Sequence, residues 1–347
     1  MSNQGRRNQE TKEEVHLDIP ATLGNRSVRI TGTIHNQFAI PGVWLRGSLH
    51  CHLNRPNRPE WLAGAVEHYR ALGYDFIAGM EHNRVVAVDS RPDILVIPGA
   101  EMSGPGHVLA YGLDQLPEMD QTGDDAQRTA GMIRKIKERG GIAVLAHPFK
   151  SGYTWKQLSL LCDAGLDGIE VLNSNVRGKG ADTGRADQIW HELLRDGRSL
   201  VALGSDDAHG PHEDLAKSTW GGVSHVGWTG VLAREFSVAG VLEAIGKGRT
   251  YASEGPEITA IEFAEDGKLI VACSPCVGCH FRSVGGGRGG SSVFPPDGQA
   301  LGERFIFDFG VAGHRVQDRL VIVLQDAFGR RAWTSPIRLD LTIQEVP

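Results

Sequence analysis

The chain has 347 residues, enough to bury a sizeable core and to make two domains or one large barrel with an appended module. Hydrophobic residues form 40% of it and charged residues 22%, proportions that exclude a fibrous or wholly disordered protein. A formal charge of −6 without any dense Lys/Arg run argues against nucleic acid or an anionic membrane as a partner.

Residues 1–14 read as a flexible polar tail without the apolar stretch of a secretory signal. No run approaches a membrane span in length, so the expected location is the cytoplasm. A β segment follows over 15–42, where Val15, Leu17, Ile19, Val28 and Ile30 alternate with polar neighbours. From 43 to 255 short apolar runs alternate with helical stretches. The runs are Val43–Leu45 with Leu49, Phe76–Ala78, Ile94–Ile97, Val108–Tyr111, Ile142–Leu145, Ile169–Leu172 and Leu200–Leu203. The helical stretches include Glu60–Leu72, Ala126–Arg139, Trp155–Ala164 and Arg185–Arg195, and Gly73, Gly140, Gly165 and Gly197 stand where a helix-terminating glycine belongs. This alternation predicts an α/β fold. After a helix at Val238–Gly246, residues 256–347 turn to strands and turns and predict a C-terminal β-sandwich.

Two patterns are set aside. Cys276-Val277-Gly278-Cys279-His280 has the C-x-x-C-H spacing of haem attachment, but no second cysteine pair accompanies it, and small buried residues are the simpler reading. The glycines from Gly285 to Gly290 contain G-x-G-x-x-G but run into Ser-Ser-Val-Phe-Pro-Pro, so the helix a nucleotide fingerprint needs is missing.

The chemistry lies at the ends of the apolar runs, which finish in metal-ligand residue types: His50-Cys51-His52, Glu81-His82-Asn83, Glu101, His107, His147, Glu170 with Asn173, and Asp206-Asp207-Ala208-His209. In a barrel of parallel strands these ends share one face. Residues two apart on a strand point the same way, so His50 and His52 face one ion while Cys51 turns away. Imidazole and carboxylate together suit zinc, manganese or iron, and so large a set predicts two or three divalent ions.

The order and spacing of these motifs resemble the PHP (polymerase and histidinol phosphatase) family of metal-dependent phosphoesterases over residues 43–255. Gly248-Arg249-Thr250-Tyr251-Ala252-Ser253 and Ala332-Trp333-Thr334-Ser335-Pro336-Ile337 are similar to the branch of the CehA and McbA carbaryl hydrolases. The resemblance implies a distorted (β/α)7 barrel with a trinuclear site. His50, His52, Glu101 and Asp207 would hold one ion, Glu101 with His107 and His147 a second, and His82 with His209 a third. The sequence departs from the pattern at Ser48, where an acid is usual, at Glu81, where Asp is usual, and at Asn54 and Asn57, where an acid or His is common. The spacing to His209 favours Asp207 over Asp206, which is left as orienter or alternative ligand.

Such a site predicts attack by a metal-bridging hydroxide on phosphorus or a carbonyl carbon. Glu81, Glu170, Asp206 and His212 are candidates for proton transfer or support, and Arg84, Lys150 and Arg185 for holding an anionic substrate. The expected activity is hydrolysis of a small phosphorylated molecule, with an aryl carbamate or ester hydrolase and a degenerate binding scaffold as alternatives. For the aryl pocket, Trp155, Trp190, Trp220 and Trp228 are available, with core packing as their other use.

Overall fold

A computed structural model describes residues 12–52, 59–86, 88–104, 106–119, 122–175, 184–209, 227–285, 289–315 and 318–346. The alternation in the first segment gives two ten-residue strands, β1 (Glu14–Leu23) and β2 (Arg26–His35), paired as a hairpin whose Val15, Leu17, Val28 and Ile30 are buried. The next strands are β3 (Val43–His52), β4 (Phe76–Gly79), β5 (Leu95–Val96), β6 (Gly99–Met102), β7 (Val108–Tyr111), β8 (Ile142–Leu145), β9 (Gly168–Asn173), β10 (Val201–Ser205), β11 (Ala208–His209), β12 (Trp228–Ala233) and β13 (Thr250–Ser253). Helices at Pro59–Ala71, Asp125–Glu138, Trp155–Asp163, Asp187–Arg195 and Val238–Gly246 lie between them. Gly73, Gly140, Gly165 and Gly197 follow the first four with φ of 80°, 76°, 99° and 83°, the left-handed conformation that ends a helix cheaply only at glycine. The C-terminal strands are β14 (Ile258–Phe263), β15 (Lys268–Cys276), β16 (Gly278–Val284), β17 (Ser291–Val293), β18 (Gly302–Asp308), β19 (Asp318–Gln325), β20 (Arg331–Thr334) and β21 (Ile337–Glu345).

The fold is mixed α/β and rich in strands, and its hydrogen bonds do not close the expected (β/α)7 ring. They make two open sheets in the α/β region. One runs β1-β2-β21-β19-β20-β13-β12-β3-β4-β5, and the other β10-β9-β8-β7-β6. β6 and β7 form an antiparallel hairpin, and β7 is also antiparallel to β8. The stretch Ser103–His107 is too short for the crossover that a parallel pair requires. At its other end, β3 is flanked by antiparallel β12, which leads through β13 to β20.

The β segment over 15–42 joins the C-terminal strands, with β2 paired to β21 from Val28↔Glu345 to His35↔Arg338. Across residue 256 the strand network is continuous, since β13 and β20 are neighbours. The second C-terminal sheet, β14-β15-β18, faces β16, β19 and β21 across an apolar layer of Phe263, Val271, Phe281, Phe307, Ile322 and Leu339. On the opposite face, Val321, Val323 and Trp333 pack with Trp190 and Leu193 of the helix Asp187–Arg195. Gly47 marks one close approach, where a Cβ would meet the Phe76 ring at 2.3 Å.

The cysteines are free thiols. β16 and β17, on either side of the glycine-rich stretch, pair antiparallel. Among the described residues no helix is long and apolar enough to cross a membrane.

Candidate metal centre

Backbone hydrogen bonds tie the strand ends to one another across both sheets. The Asp207 N–H donates to the His50 carbonyl (2.8 Å), the Glu101 N–H to the Glu81 carbonyl (3.1 Å), and the Ala146 N–H to the His107 carbonyl (3.1 Å). β11 pairs with the end of β3, setting His209 beside His52. Asn83, His147 and Asp207 all take positive φ (56°, 25° and 46°) at these ends. Such conformations are costly for residues with a Cβ and persist where surrounding structure enforces them.

Glu101 is the hub. Its Oε2 lies 2.9 Å from His52 Nε2, 3.1 Å from His82 Nδ1 and 3.5 Å from His50 Nε2. Its Oε1 lies 2.5 Å from His107 Nδ1 and 3.0 Å from His147 Nε2. Asp207 Oδ1 faces His50 Nε2 (3.3 Å), His52 Nε2 (3.5 Å) and His209 Nδ1 (3.5 Å), yet among the described residues this buried oxygen has no hydrogen-bond partner, and neither has buried His147 Nδ1. Four overlapping groups place their donor atoms within 4.8 Å of one another: His52/His82/His209, His50/His52/Glu101, His50/His147/Asp207 and His82/Glu101/His107. Every candidate metal group among the described residues is built from the eight residues expected to be ligands.

The electrostatics explain why such a cluster attracts cations. Burial alone would raise the Glu101 carboxyl, but hydrogen bonds from His107, His147, His50 and His52 push it far below the usual carboxylate range. Asp207 is likewise opposed by burial yet lowered to about 2, chiefly by His50 and His209. For His50, burial favours the neutral ring, but Asp207 and Glu170 outweigh it and hold the imidazole protonated well above its ordinary pKa. Burial keeps His52 neutral, with its pKa lowered to about 4. Three buried carboxylates thus hold at least one proton on the histidines. Orphaned Asp207 Oδ1 and His147 Nδ1, with the mixed N/O donor set, fit divalent ions in the place of that proton.

A supporting layer stands behind the donors. Buried Glu170 accepts from His50 Nδ1 (2.8 Å), the His147 backbone N–H (2.7 Å), Asn173 Nδ2 (2.9 Å) and the Ser205 hydroxyl. It therefore fixes the His50 ring with Nε2 toward Glu101 and Asp207. Asp206 turns away from the histidines and accepts from Ser48 Oγ (2.8 Å) and the Tyr69 hydroxyl, so the geometry separates it from Asp207. Ser48 is thereby a donor to Asp206 rather than an acid itself. Cys51 points to the other side of β3, with its thiol 3.2 Å from the Ala78 carbonyl.

The remaining candidates divide. Lys150 Nζ lies 3.7 Å from Asp207 Oδ2 and is partly exposed beside the centre. Glu81 is half-buried next to His82, and Arg84 is exposed and bridged to Glu81 through the backbone. Arg185 is not brought to the cavity, because its guanidinium grips Glu254 at 2.9 and 2.5 Å and lies over Trp333. His212, Asn54, Asn57 and Trp220 lie outside the described residues. Trp190 is fully buried in the core, Trp228 is buried under Arg46, and Trp155 is exposed. Sequence reasoning missed Tyr69, Ser205, Ser103, whose hydroxyl is 2.5 Å from His82 Nδ1, and Asn175, 3.4 Å from His209 Nδ1. Asn175, Ser103 and Ser205 had a signal, their closeness in sequence to Asn173, Glu101 and Asp206, and Tyr69 had none.

No family model and no curated protein matches the sequence. Among solved structures, the chain is similar to a two-domain protein from Bacteroides vulgatus ATCC 8482 that contains a predicted PHP-like metal-dependent phosphoesterase. The identity is 17%, covering 82% of this chain and 90% of that one, with a TM-score of 0.46. It is also similar to a candidate metal-dependent phosphoesterase from Bifidobacterium adolescentis ATCC 15703, at 16% identity over 48% of this chain and 88% of that one, with a TM-score of 0.34. Likeness this distant assigns no activity, which has to be argued from the site.

Proposed function

We propose that this chain is a PHP-type metal-dependent phosphoesterase acting on a small phosphorylated molecule, with His50, His52, His82, Glu101, His107, His147, Asp207 and His209 holding two or three zinc, manganese or iron ions. The observation that carries the reading is a single buried carboxylate, Glu101, with five histidine nitrogens within 3.5 Å. Bound divalent ions would acidify water and neutralise charge on phosphoryl oxygens, the chemistry a phosphoester needs.

The chain's own residues supply the rest. Glu101 reaches donors on both sides of the cluster, one carboxylate oxygen toward His52 and His82 and the other toward His107 and His147. Glu170 and Asp206 orient rather than react, since both are buried behind the donors. Lys150, whose Nζ is 3.7 Å from Asp207 Oδ2, would take a phosphate oxygen.

The test is hydrolysis of p-nitrophenyl phosphate and of 1-naphthyl N-methylcarbamate by metal-loaded wild type and His50→Ala. Turnover of the phosphate by wild type alone supports the proposal. Turnover of the carbamate alone moves the assignment to the CehA and McbA type, and inactivity of a metal-loaded protein on a wide panel of both ester classes would favour a binding scaffold.

A further inference from the structure

A second polar cavity lies on the C-terminal sheet and shares no residue with the metal centre. On β16 the strand period sends Phe281 into the apolar layer and His280 and Arg282 to the other face. The register sets Ser292 of β17 and Val323 of β19 on either side of His280, and Arg331 of β20 opposite Gln325. With Arg315 and the glycines at 289 and 290, these residues line a cavity of about 440 Å³, the size of a small-molecule site. Gly290 takes φ of 103°, and a Cβ there would meet the Phe281 carbonyl oxygen at 1.9 Å, so this position takes only glycine.

The charge of this cavity is one-sided. Among the described residues no carboxylate lines it, and none of Arg282, Arg315 and Arg331 has an ion pair. Elsewhere in the chain, arginines of the same region are neutralised, as in Arg330–Asp326 and Arg338–Asp340. Burial, and after it the charges of Arg282 and Arg331, hold the His280 imidazole below its ordinary pKa, so the two guanidinium groups act on the same ring. His280 Nδ1 is 2.7 Å from Ser292 Oγ, which adds neutral hydrogen-bonding groups beside the cations. In a chain of net charge −6, three uncompensated guanidinium groups around one hollow repel one another unless an anion joins them.

We propose that this cavity binds a tetrahedral oxyanion group, a phosphate or sulfate, carried by a small molecule. Guanidinium forks match the paired oxygens of such groups, and several forks around one hollow suit an anion with more oxygens than a carboxylate has. The proposal does not depend on the activity of the metal centre.

Calorimetric titration with sodium phosphate, sodium sulfate and sodium acetate tests it, using wild type, His50→Ala and the double variant Arg282→Gln/Arg331→Gln. Phosphate or sulfate binding should persist in His50→Ala, which separates it from anions captured at the metal centre. It should weaken at least tenfold in the double variant, and acetate should bind at least tenfold more weakly than the better oxyanion. The phosphate-to-sulfate affinity ratio identifies which group the cavity prefers. Circular dichroism checks folding, and the charge-conserving Arg282→Lys, expected to lose affinity less than Arg282→Gln, carries the test if the double variant unfolds. Oxyanion binding that disappears in His50→Ala, is unchanged by both Arg282 substitutions, or is equalled by acetate overturns the proposal.

Discussion

Replacing Glu170 by Gln tests how the metal centre is held together without touching a proposed ligand. The carboxylate accepts from His50 Nδ1 at 2.8 Å, the His147 N–H at 2.7 Å, Asn173 Nδ2 at 2.9 Å and the Ser205 hydroxyl. An amide has the same shape but only one acceptor oxygen, so its NH2 must face either the donors on the His50 side or those on the His147 side. One proposed ligand loses its anchor whichever way the amide turns. Loss of such an outer partner weakens metal affinity or activity by about 10–100-fold, equivalent to about 1.4–2.8 kcal/mol. Competition with a calibrated zinc chelator measures the affinity, and circular dichroism checks that the variant is folded. A folded Glu170→Gln protein that binds metal within twofold of wild type would refute the supporting role assigned to this carboxylate.

Metal uptake near pH 7 should release protons. The raised pKa of His50 means that its contribution to metal-free stability is full below pH 6.5 and is lost as pH rises through the raised value, and a metal must displace that proton. His52, lowered to about 4, is already neutral and should contribute none. Calorimetry in buffers of different ionisation heat counts the protons, and a count of zero contradicts the His50 assignment. Lys150→Ala should raise KM for a phosphate ester roughly tenfold or more, with a smaller change in kcat, as loss of a charged hydrogen bond implies; an unchanged KM removes Lys150 from the site. Trp333→Ala should cost about 3–5 kcal/mol in urea unfolding, because Trp333 is fully buried where the C-terminal sheet meets the helix Asp187–Arg195. A cost below 1 kcal/mol would show that this junction contributes little.

The clustering of these residues was legible because His, Asp and Glu are common metal-ligand types and because strand ends are where a parallel sheet displays them. His50 and His52 followed from the strand period alone. Asp207 and Asp206 are adjacent, so only the structure could turn one toward His50 and the other toward Tyr69. Tyr69 sits in a helical stretch that offers no hint of the distant strand end it meets. Arg185 misled because closeness to Glu170 and Asn173 in sequence was taken for closeness to the cavity, whereas Glu254 holds it elsewhere. The antiparallel β6–β7 pair was readable in principle, since Ser103–His107 cannot carry a crossover. The union of β2 with β21 was not, because alternation announces a strand without naming its partner.

Metal stoichiometry of wild type and Glu101→Gln tests the central claim most directly. Both proteins would be loaded with zinc or manganese, desalted and measured by plasma mass spectrometry. Glu101 joins two of the four donor groups and contacts five histidines. The account predicts two or three equivalents in wild type and at most one in a folded Glu101→Gln protein. No bound metal in wild type, or equal content in the two proteins, would contradict it.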